Sequence, residues 1–309
     1  MPGIDPLVYQ QAIAQCFPQL DVRTWKSNEE GWSSFVLEIN GDLILRFPRR
    51  PEIVPGLRRE MALLPALARA LSVAVPQYDY IWPGDEGRTG VCRWPFVGYR
   101  KIAGVPLDAA ILSPALAGHI GAVVSELHAF PPARAAELGV PGGDAAAWRQ
   151  EYVETYSWVR QLVWPLLAET AREEAAALWE AFLAAETNFR FRPVLVHRDL
   201  CGEHILCDPA AGRVNGIIDW EDAAIGDPAI DFVGLLWLCG ADFTRQVLAH
   251  YAGPVEETLW SRVEFYTRIV PNYRVRFGLE TGQADEVELG MQEMAQMLRY
   301  DPQRYGQQP

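Results

Sequence analysis

Val194-Leu-Val-His197-Arg198-Asp199-Leu-Cys-Gly-Glu-His204-Ile-Leu-Cys-Asp208, and then Val214-Asn-Gly-Ile-Ile-Asp219-Trp-Glu-Asp222, form the most informative stretch of the sequence. In each half a short run of β-forming apolar residues leads directly into polar side chains. Asp199 and Asp219 therefore stand where strands end, the place where reactive groups are displayed. Phosphoryl transfer suits such a pair, because it needs metal ions to neutralise a triphosphate and a carboxylate to orient the attacking hydroxyl. A lone Asp-x-x-Asp, as in Asp219 and Asp222, reads as a turn or a helix cap. The block around His197 is what turns that spacing toward chemistry.

Working outward toward the N-terminus, residues 35–39 and 42–47 flank Asn40-Gly41 and read as a type I′ hairpin. Pairing Ile39 with Asp42 sets Leu37 against Ile44 and Phe35 against Arg46, which places a guanidinium on a mainly apolar face. Such a charge requires an anionic partner. Glu60 is the candidate, one turn into a segment with Leu57, Met61, Leu64, Ala68 and Leu71 at helical spacing, which Pro65 must kink or interrupt. Ahead of the hairpin, Asp5 can cap a helix with Pro6 at its first position, Val8, Ala12 and Cys16 along one side, and Pro18 after its end. Residues 78–82 and 90–97 are strand-like around a turn at 83–87, which completes one small antiparallel sheet.

Beyond Gly104 the character changes to long Ala- and Leu-rich helical stretches at 114–130, 145–167 and 172–188, with a short block of strands near 194–218. The expected fold is α+β and bilobal, a small sheet lobe and a larger helical lobe with a cleft between them and a boundary near residues 97–104. No internal repeat or flexible linker is present, so a short ordered hinge must join the lobes.

The chain has 309 residues, half of them hydrophobic, enough for a sizeable core. Forty acidic against 27 basic residues give a formal charge of -13, which argues against nucleic acid or an anionic membrane as partner and favours a cationic ligand. The N-terminus lacks a basic region followed by an apolar core, and the longest apolar run, 232–241, is too short to span a bilayer. Five cysteines, Cys16, Cys92, Cys201, Cys207 and Cys239, are odd in number and show no C-x-x-C spacing. Neither a disulfide framework nor a zinc site is suggested, and a cytoplasmic monomer is expected.

His197-Arg198-Asp199 resembles the first half of the protein-kinase catalytic loop H-R-D-x-x-x-x-N, and Asp219 the metal-binding aspartate that follows it. The chain is more similar to the aminoglycoside phosphotransferase family, nearest its 2″-modifying members and the macrolide phosphotransferases. Those carry His where kinases have Asn, and His204 stands there. The run Gly216-Ile-Ile-Asp219-Trp-Glu-Asp222-Ala-Ala-Ile-Gly-Asp227-Pro-Ala-Ile-Asp231-Phe232 also looks like that group's metal loop and following helix. The resemblance covers roughly residues 25–235.

What it implies is an ATP- or GTP-dependent kinase acting with Mg2+ on a hydroxyl of a small molecule. Residues 1–98 would form the nucleotide-binding lobe, and 99–309 the catalytic and acceptor-binding lobe with a helical subdomain. Asp199 would accept or aim the hydroxyl, and Asp219 and His204 would hold the metal. Since magnesium prefers oxygen donors, the alternative for His204 is to orient the phosphate or Asp199. Arg46, paired with Glu60, stands where the family usually has a phosphate-binding Lys. Gly31 resembles the phosphate-covering turn, and 96–104 the hinge, with Tyr99, Arg100 and Ile102 at the base. Asp222 and Trp237 would face the acceptor, with Trp260 and Tyr266 as further candidates beside a core-packing role. His197, Asp227 and Asp231 are expected to be structural.

The sequence points two ways on the acceptor. An aminoglycoside needs several carboxylates, yet Gly234-Leu-Leu-Trp-Leu-Cys-Gly240 replaces the expected acidic cluster, and Arg262, Arg268, Arg274 and Arg276 make the following segment basic. An apolar wall suits a macrolide or another bulky alcohol. A pseudokinase that binds nucleotide without turnover would lack a base or a metal ligand, and this chain has both Asp199 and Asp219.

Overall fold

The computed structural model describes residues 6–28, 33–87 and 90–299. The first part of the chain comprises helix α1 (Pro6–Cys16), strands β1 (Trp25–Asn28), β2 (Ser34–Ile39) and β3 (Leu43–Pro48), helix α2 (Val54–Ala70), and strands β4 (Tyr78–Trp82) and β5 (Phe96–Arg100). The strands form one antiparallel sheet in the order β1-β2-β3-β5-β4. Alternation at period two puts Phe35, Leu37, Ile39, Leu43, Leu45, Phe47 and Phe96 on one face. Helix α1 and the residue after it cover that face with Tyr9, Ile13 and Phe17, and Tyr9 stacks on Phe35 at 4.1 Å.

The hairpin register differs from the expected one. Ile39 pairs with Leu43, Leu37 with Leu45, and Arg46 with Val36, so that Asn40, Gly41 and Asp42 all belong to the connection. Asn40 and Gly41 do adopt the expected positive φ, 54° and 79°. The carbonyl of Asp42, however, accepts from the Lys101 N–H of the neighbouring segment at 2.8 Å, and Asp42 stays outside the ladder. A one-residue slip exchanges faces, and Arg46 consequently leaves the apolar face for the opposite one, toward α2.

Three smaller expectations are also corrected. The buried side of α1 is Tyr9, Ala12 and Ile13, continued by Phe17 just after the helix, while Val8 is 43% exposed. Residues 90–93 form a 3₁₀ turn, and the strand begins only at Phe96, after Pro95, which has no N–H to offer a ladder. Helix α2 runs through Pro65, which sits on its exposed side while Leu63, Leu64 and Leu67 stay buried. Asp5 lies outside the described residues.

The rest of the chain comprises β6 (Val105–Pro106), α3 (Pro114–Ala129), α4 (Pro132–Glu137), α5 (Ala145–Trp158), α6 (Glu169–Ala184), β7 (Val194–Val196), β8 (Ile205–Asp208), β9 (Arg213–Ile217), β10 (Ala224–Gly226), α7 (Val233–Ala249), α8 (Leu259–Thr281) and α9 (Ala284–Leu298). Two small sheets, β6-β8-β9 and β10-β7, lie among these helices. Ser113 caps α3 by accepting from Leu116 N–H with Pro114 at the first position, and Asp144 caps α5. The large core joins Leu116, Ile120 and Leu127 of α3 to Leu235 and Leu236 of α7 and Val263 of α8. Leu63, Leu64 and Leu67 of α2, with Val73 and Val75 after it, also enter this core. Ala74 bridges to Gly216 of β9. The helix that carries Glu60 is thereby anchored in the second part of the chain, with its first turns facing the segment around Asp219. Among the described residues no helix is long and apolar enough to cross a membrane.

Candidate active site

Two strand ends define the site. Residue 198 follows β7 and residue 219 follows β9, and both Arg198 (φ 71°) and Asp219 (φ 66°) adopt left-handed backbone that costs a non-glycine residue of order 1–3 kcal/mol. Surrounding hydrogen bonds hold that strain. The buried Asp231 carboxylate accepts from the N–H groups of His197 (2.9 Å) and Arg198 (2.7 Å), and from Nε2 of the buried His128 at 3.0 Å. His197 is itself fully buried and donates from Nε2 to the Ile218 carbonyl at 3.0 Å, which fastens one strand end to the other. Burial pushes the His197 pKa down to about 4, with neighbouring His204 acting in the same direction, so it stays neutral. The structural roles expected for His197 and Asp231 hold.

Asp199 and Asp219 meet on either side of His204. Nδ1 of His204 is 3.4 Å from Asp199 Oδ2, and Nε2 is 3.5 Å from Asp219 Oδ2. Nδ1 also donates to the Asp199 carbonyl at 2.7 Å. Burial works against a charge on this ring, but Cys201 and the two carboxylates outweigh it and lift the pKa to about 10. His204 is therefore an imidazolium that offsets the repulsion between two aspartates. Asp199 itself is raised, first by partial burial and then by Asp222, Asp219 and Glu203, against the pull of His204.

Arg46 closes the site from the sheet. Nη1 bonds both Glu60 oxygens at 2.9 and 3.1 Å, while Nη2 reaches Asp219 Oδ1 at 2.8 Å and Glu221 Oε2 at 3.2 Å. The planar fork of Arg can address three carboxylates at once, which a single ammonium cannot do with the same geometry. Glu60 also accepts from Trp220 N–H at 3.2 Å. Burial would raise the Asp219 pKa, but Arg46 and then His204 hold it below the usual carboxylate range. The pairing of Arg46 with Glu60 predicted from spacing is thus present, although it arises on the other face of the sheet.

Other expected residues fall as follows. Tyr99 is buried in β5, where burial lifts its phenol to about 12, and it faces Ile44 and Tyr78 across the sheet. Arg100 is exposed and pairs with Asp42. Ile102 packs so closely over Gly216 that a Cβ there would lie 2.6 Å from it. Asp222 is exposed near Asp219 and Arg198, which oppose one another in setting its raised pKa after burial. Trp237 is half-buried on α7, ahead of the break at Gly240. Tyr266 is buried and bonds Trp148 and Asp227, and Trp260 bonds Glu264, so both are in use within the helical part. Gly31 lies outside the described residues.

The sequence reading missed four participants. Glu221 replaces the glycine of the kinase D-F-G and reaches Arg46; burial and then Asp219 raise it to about 7. Cys201 touches His204 at 3.4 Å. Glu203 adds a carboxylate beside Asp199, and Glu151 arrives from α5 to pair with Arg198. Glu221, Cys201 and Glu203 lie inside the quoted motif and were legible there; Glu151 is remote in sequence and gave no signal. The basic segment also reads differently in three dimensions. Arg262 is buried against Asp227 (2.7 Å) and Glu256 (2.9 Å), Arg274 pairs with Glu286 and Glu293, Arg276 with Glu280, and Arg268 bonds the Met297 carbonyl. These cations are matched to partners within the helical scaffold.

Known proteins resemble this chain in sequence and in fold. The phosphotransferase enzyme family, APH, matches residues 24–266. The GDP and kanamycin complex of APH(2″)-IIIa is 31% identical, with a TM-score of 0.85 over 94% of this chain and 98% of that one. Macrolide 2′-phosphotransferase MphH from Brachybacterium faecium is 25% identical, with a TM-score of 0.72 over 94% and 98%. Viomycin phosphotransferase of Streptomyces vinaceus is 31% identical over 173 residues, which span 53% of this chain and 58% of that enzyme. With the match running from the first strand into the first third of α8, and with similarity in three dimensions over 94% of its length, this chain belongs to the phosphotransferase enzyme family.

Proposed function

We propose that the protein transfers the γ-phosphate of ATP or GTP to a hydroxyl of a small cationic molecule of the aminoglycoside type, in the cytoplasm. The observation that carries this reading is the convergence of Asp199 and Asp219 on the two nitrogens of His204, at 3.4 and 3.5 Å, directly under Arg46. Residues 1–98 would hold the nucleotide, with Tyr99, Arg100 and Ile102 at the base and Gly31 over the phosphates, and 99–309 would supply catalysis and the acceptor pocket. Asp199 accepts a hydrogen bond from the acceptor hydroxyl, aims its oxygen, and takes its proton as the bond to phosphorus forms. The raised pKa of Asp199 suits a base better than an unperturbed aspartate would. Arg46 is free to exchange one carboxylate partner for phosphate oxygens while Glu60 keeps it aimed.

Asp219 would hold magnesium, joined by His204 once Nε2 gives up its proton as the cation binds. They fit, since Asp219 turns one oxygen to Arg46 and the other toward His204 Nε2, and a bound cation there would neutralise the triphosphate. The acidic patch of Asp199, Glu203 and Asp222 favours a cationic acceptor such as the kanamycin of the structural relative or the viomycin of the sequence relative. A macrolide-type acceptor is the second reading, supported by the apolar first half of α7 with its half-buried Trp237.

The test is nucleotide consumption with magnesium in the presence of aminoglycosides, viomycin and macrolides, comparing the protein with Asp199→Asn. Acceptor-stimulated turnover that drops by about 10³-fold or more in the variant is the expected result. Nucleotide binding without turnover on any acceptor would identify a pseudokinase instead.

A further inference from the structure

The catalytic turn carries a donor set softer than the all-oxygen shell that magnesium prefers. Asp199, Cys201 and His204 offer a carboxylate oxygen, a sulfur and a ring nitrogen that all lie within 4.8 Å of one another. His204 Nδ1 is the hub, 3.4 Å from Cys201 Sγ and 3.4 Å from Asp199 Oδ2. A tetrahedral zinc ion, with bonds of about 2.3 Å to sulfur and about 2.0–2.2 Å to nitrogen and oxygen, sets its ligand atoms about 3.3–3.6 Å apart. Two of the three edges already have that length. Sulfur and imidazole beside one carboxylate make a borderline-soft set, which selects zinc-like ions over magnesium.

The backbone holds these ligands in place. Cys201 N–H donates to the Asp199 carbonyl at 3.0 Å, His204 N–H to the Cys201 carbonyl at 3.1 Å, and Leu107 N–H to the Gly202 carbonyl at 3.0 Å. Two glycines permit the close packing behind the turn. A Cβ on Gly234 would sit 2.7 Å from Cys201 Cα, and one on Gly202 would sit 2.5 Å from the Leu107 carbonyl. The ligand side remains open, with Asp199 52% and His204 14% exposed, which leaves a fourth position for water.

We propose that Asp199, Cys201 and His204 form a binding site for a zinc-class divalent cation, and that occupancy silences phosphate transfer by removing the Asp199 carboxylate from the acceptor. Binding forms metal bonds to Sγ, Nδ1 and a carboxylate oxygen. The thiol and Nδ1 each release one proton to solvent, and the bond from Nδ1 to the Asp199 carbonyl is lost. The binding limb stands independently; the silencing limb rests on the proposed transfer reaction.

Cobalt(II) is the probe for the full-length protein in magnesium buffer. One equivalent is expected to produce thiolate-to-cobalt charge-transfer absorption in the near ultraviolet, erased by zinc. Cys201→Ser is expected to lose that absorption and to weaken zinc binding tenfold or more while retaining its melting transition, and Cys16→Ser to retain the absorption. No charge-transfer band, or a band that survives in Cys201→Ser, overturns the site. In the turnover assay, zinc is expected to inhibit the protein at least tenfold more potently than Cys201→Ser, each measured against its own zinc-free rate. A band without inhibition overturns the silencing limb alone. If no acceptor supports turnover, the spectroscopic result still decides the binding limb, so failure of the proposed reaction is separable from failure of this site.

Discussion

His197 stays uncharged at neutral pH because it is sealed beneath the catalytic turn, where only the Ile218 carbonyl meets its ring nitrogen at 3.0 Å. In the unfolded chain the same imidazole has a pKa near 6.5, against about 4 in the fold. Between those values the unfolded state binds more protons than the folded one, so stability rises with pH across that window and is lost on acidification. His197→Gln keeps a donor for Ile218 and removes the titration. Denaturant unfolding at pH 7 and pH 4.5 is expected to show the variant losing about 2 kcal/mol less than the parent on acidification, within the ceiling of about 1.4 kcal/mol per pKa unit. Equal losses in both would mean that His197 protonates freely in the fold. Its neighbour His204, lifted to about 10 by Cys201 and two aspartates against its own burial, shows how the same side chain seven residues away is set to the opposite charge state.

At the scale of the element, the first helix matters to the site although none of its residues reaches it. Tyr9, Ile13 and Phe17 cover one face of the five-stranded sheet, and this leaves the other face to Arg46. Ile13 is fully buried there. Ile13→Ala is expected to cost about 2–4 kcal/mol in unfolding experiments, the usual penalty for a truncation that leaves a cavity; a loss below about 1 kcal/mol would mean that α1 is only loosely docked. The hairpin beneath it marks the limit of local reasoning. Asn40-Gly41 was readable as a turn with positive φ, and its strands were readable from their alternation. The pairing was not, because the third loop residue, Asp42, is drawn out of the ladder by the N–H of Lys101, which follows a strand that is adjacent only in space.

Across the whole molecule the catalytic turns rest on a buried polar strut. Asp227 caps the turn before α7 through Ala229 N–H at 2.9 Å, and its other oxygen receives Arg262 Nε at 2.7 Å and Tyr266 Oη at 2.8 Å from α8. Arg262 continues to Thr258 and Glu256, and Tyr266 to Trp148 of α5. Removing one partner from such a network leaves a buried guanidinium short of charge compensation. Asp227→Ala is accordingly expected to lose about 3–5 kcal/mol of stability in chemical denaturation, whereas a change within about 1 kcal/mol would show that Glu256 alone satisfies Arg262.

By itself the sequence determined the local grammar of this protein: the strand ends that present Asp199 and Asp219, the helix and strand types, the pairing of Arg46 with Glu60, and the resemblance that named the reaction. These follow from short-range periodicity, turn chemistry and the spacing of a few polar residues. Tertiary structure alone decided which face of the sheet carries Arg46, that four arginines of the C-terminal region are matched to internal partners, that Glu151 comes from α5 to Arg198, and that His204 bears a charge. Each of these depends on groups brought together from distant parts of the chain, and charge state, strand register and ion pairing are properties of that shared environment, which no single segment contains.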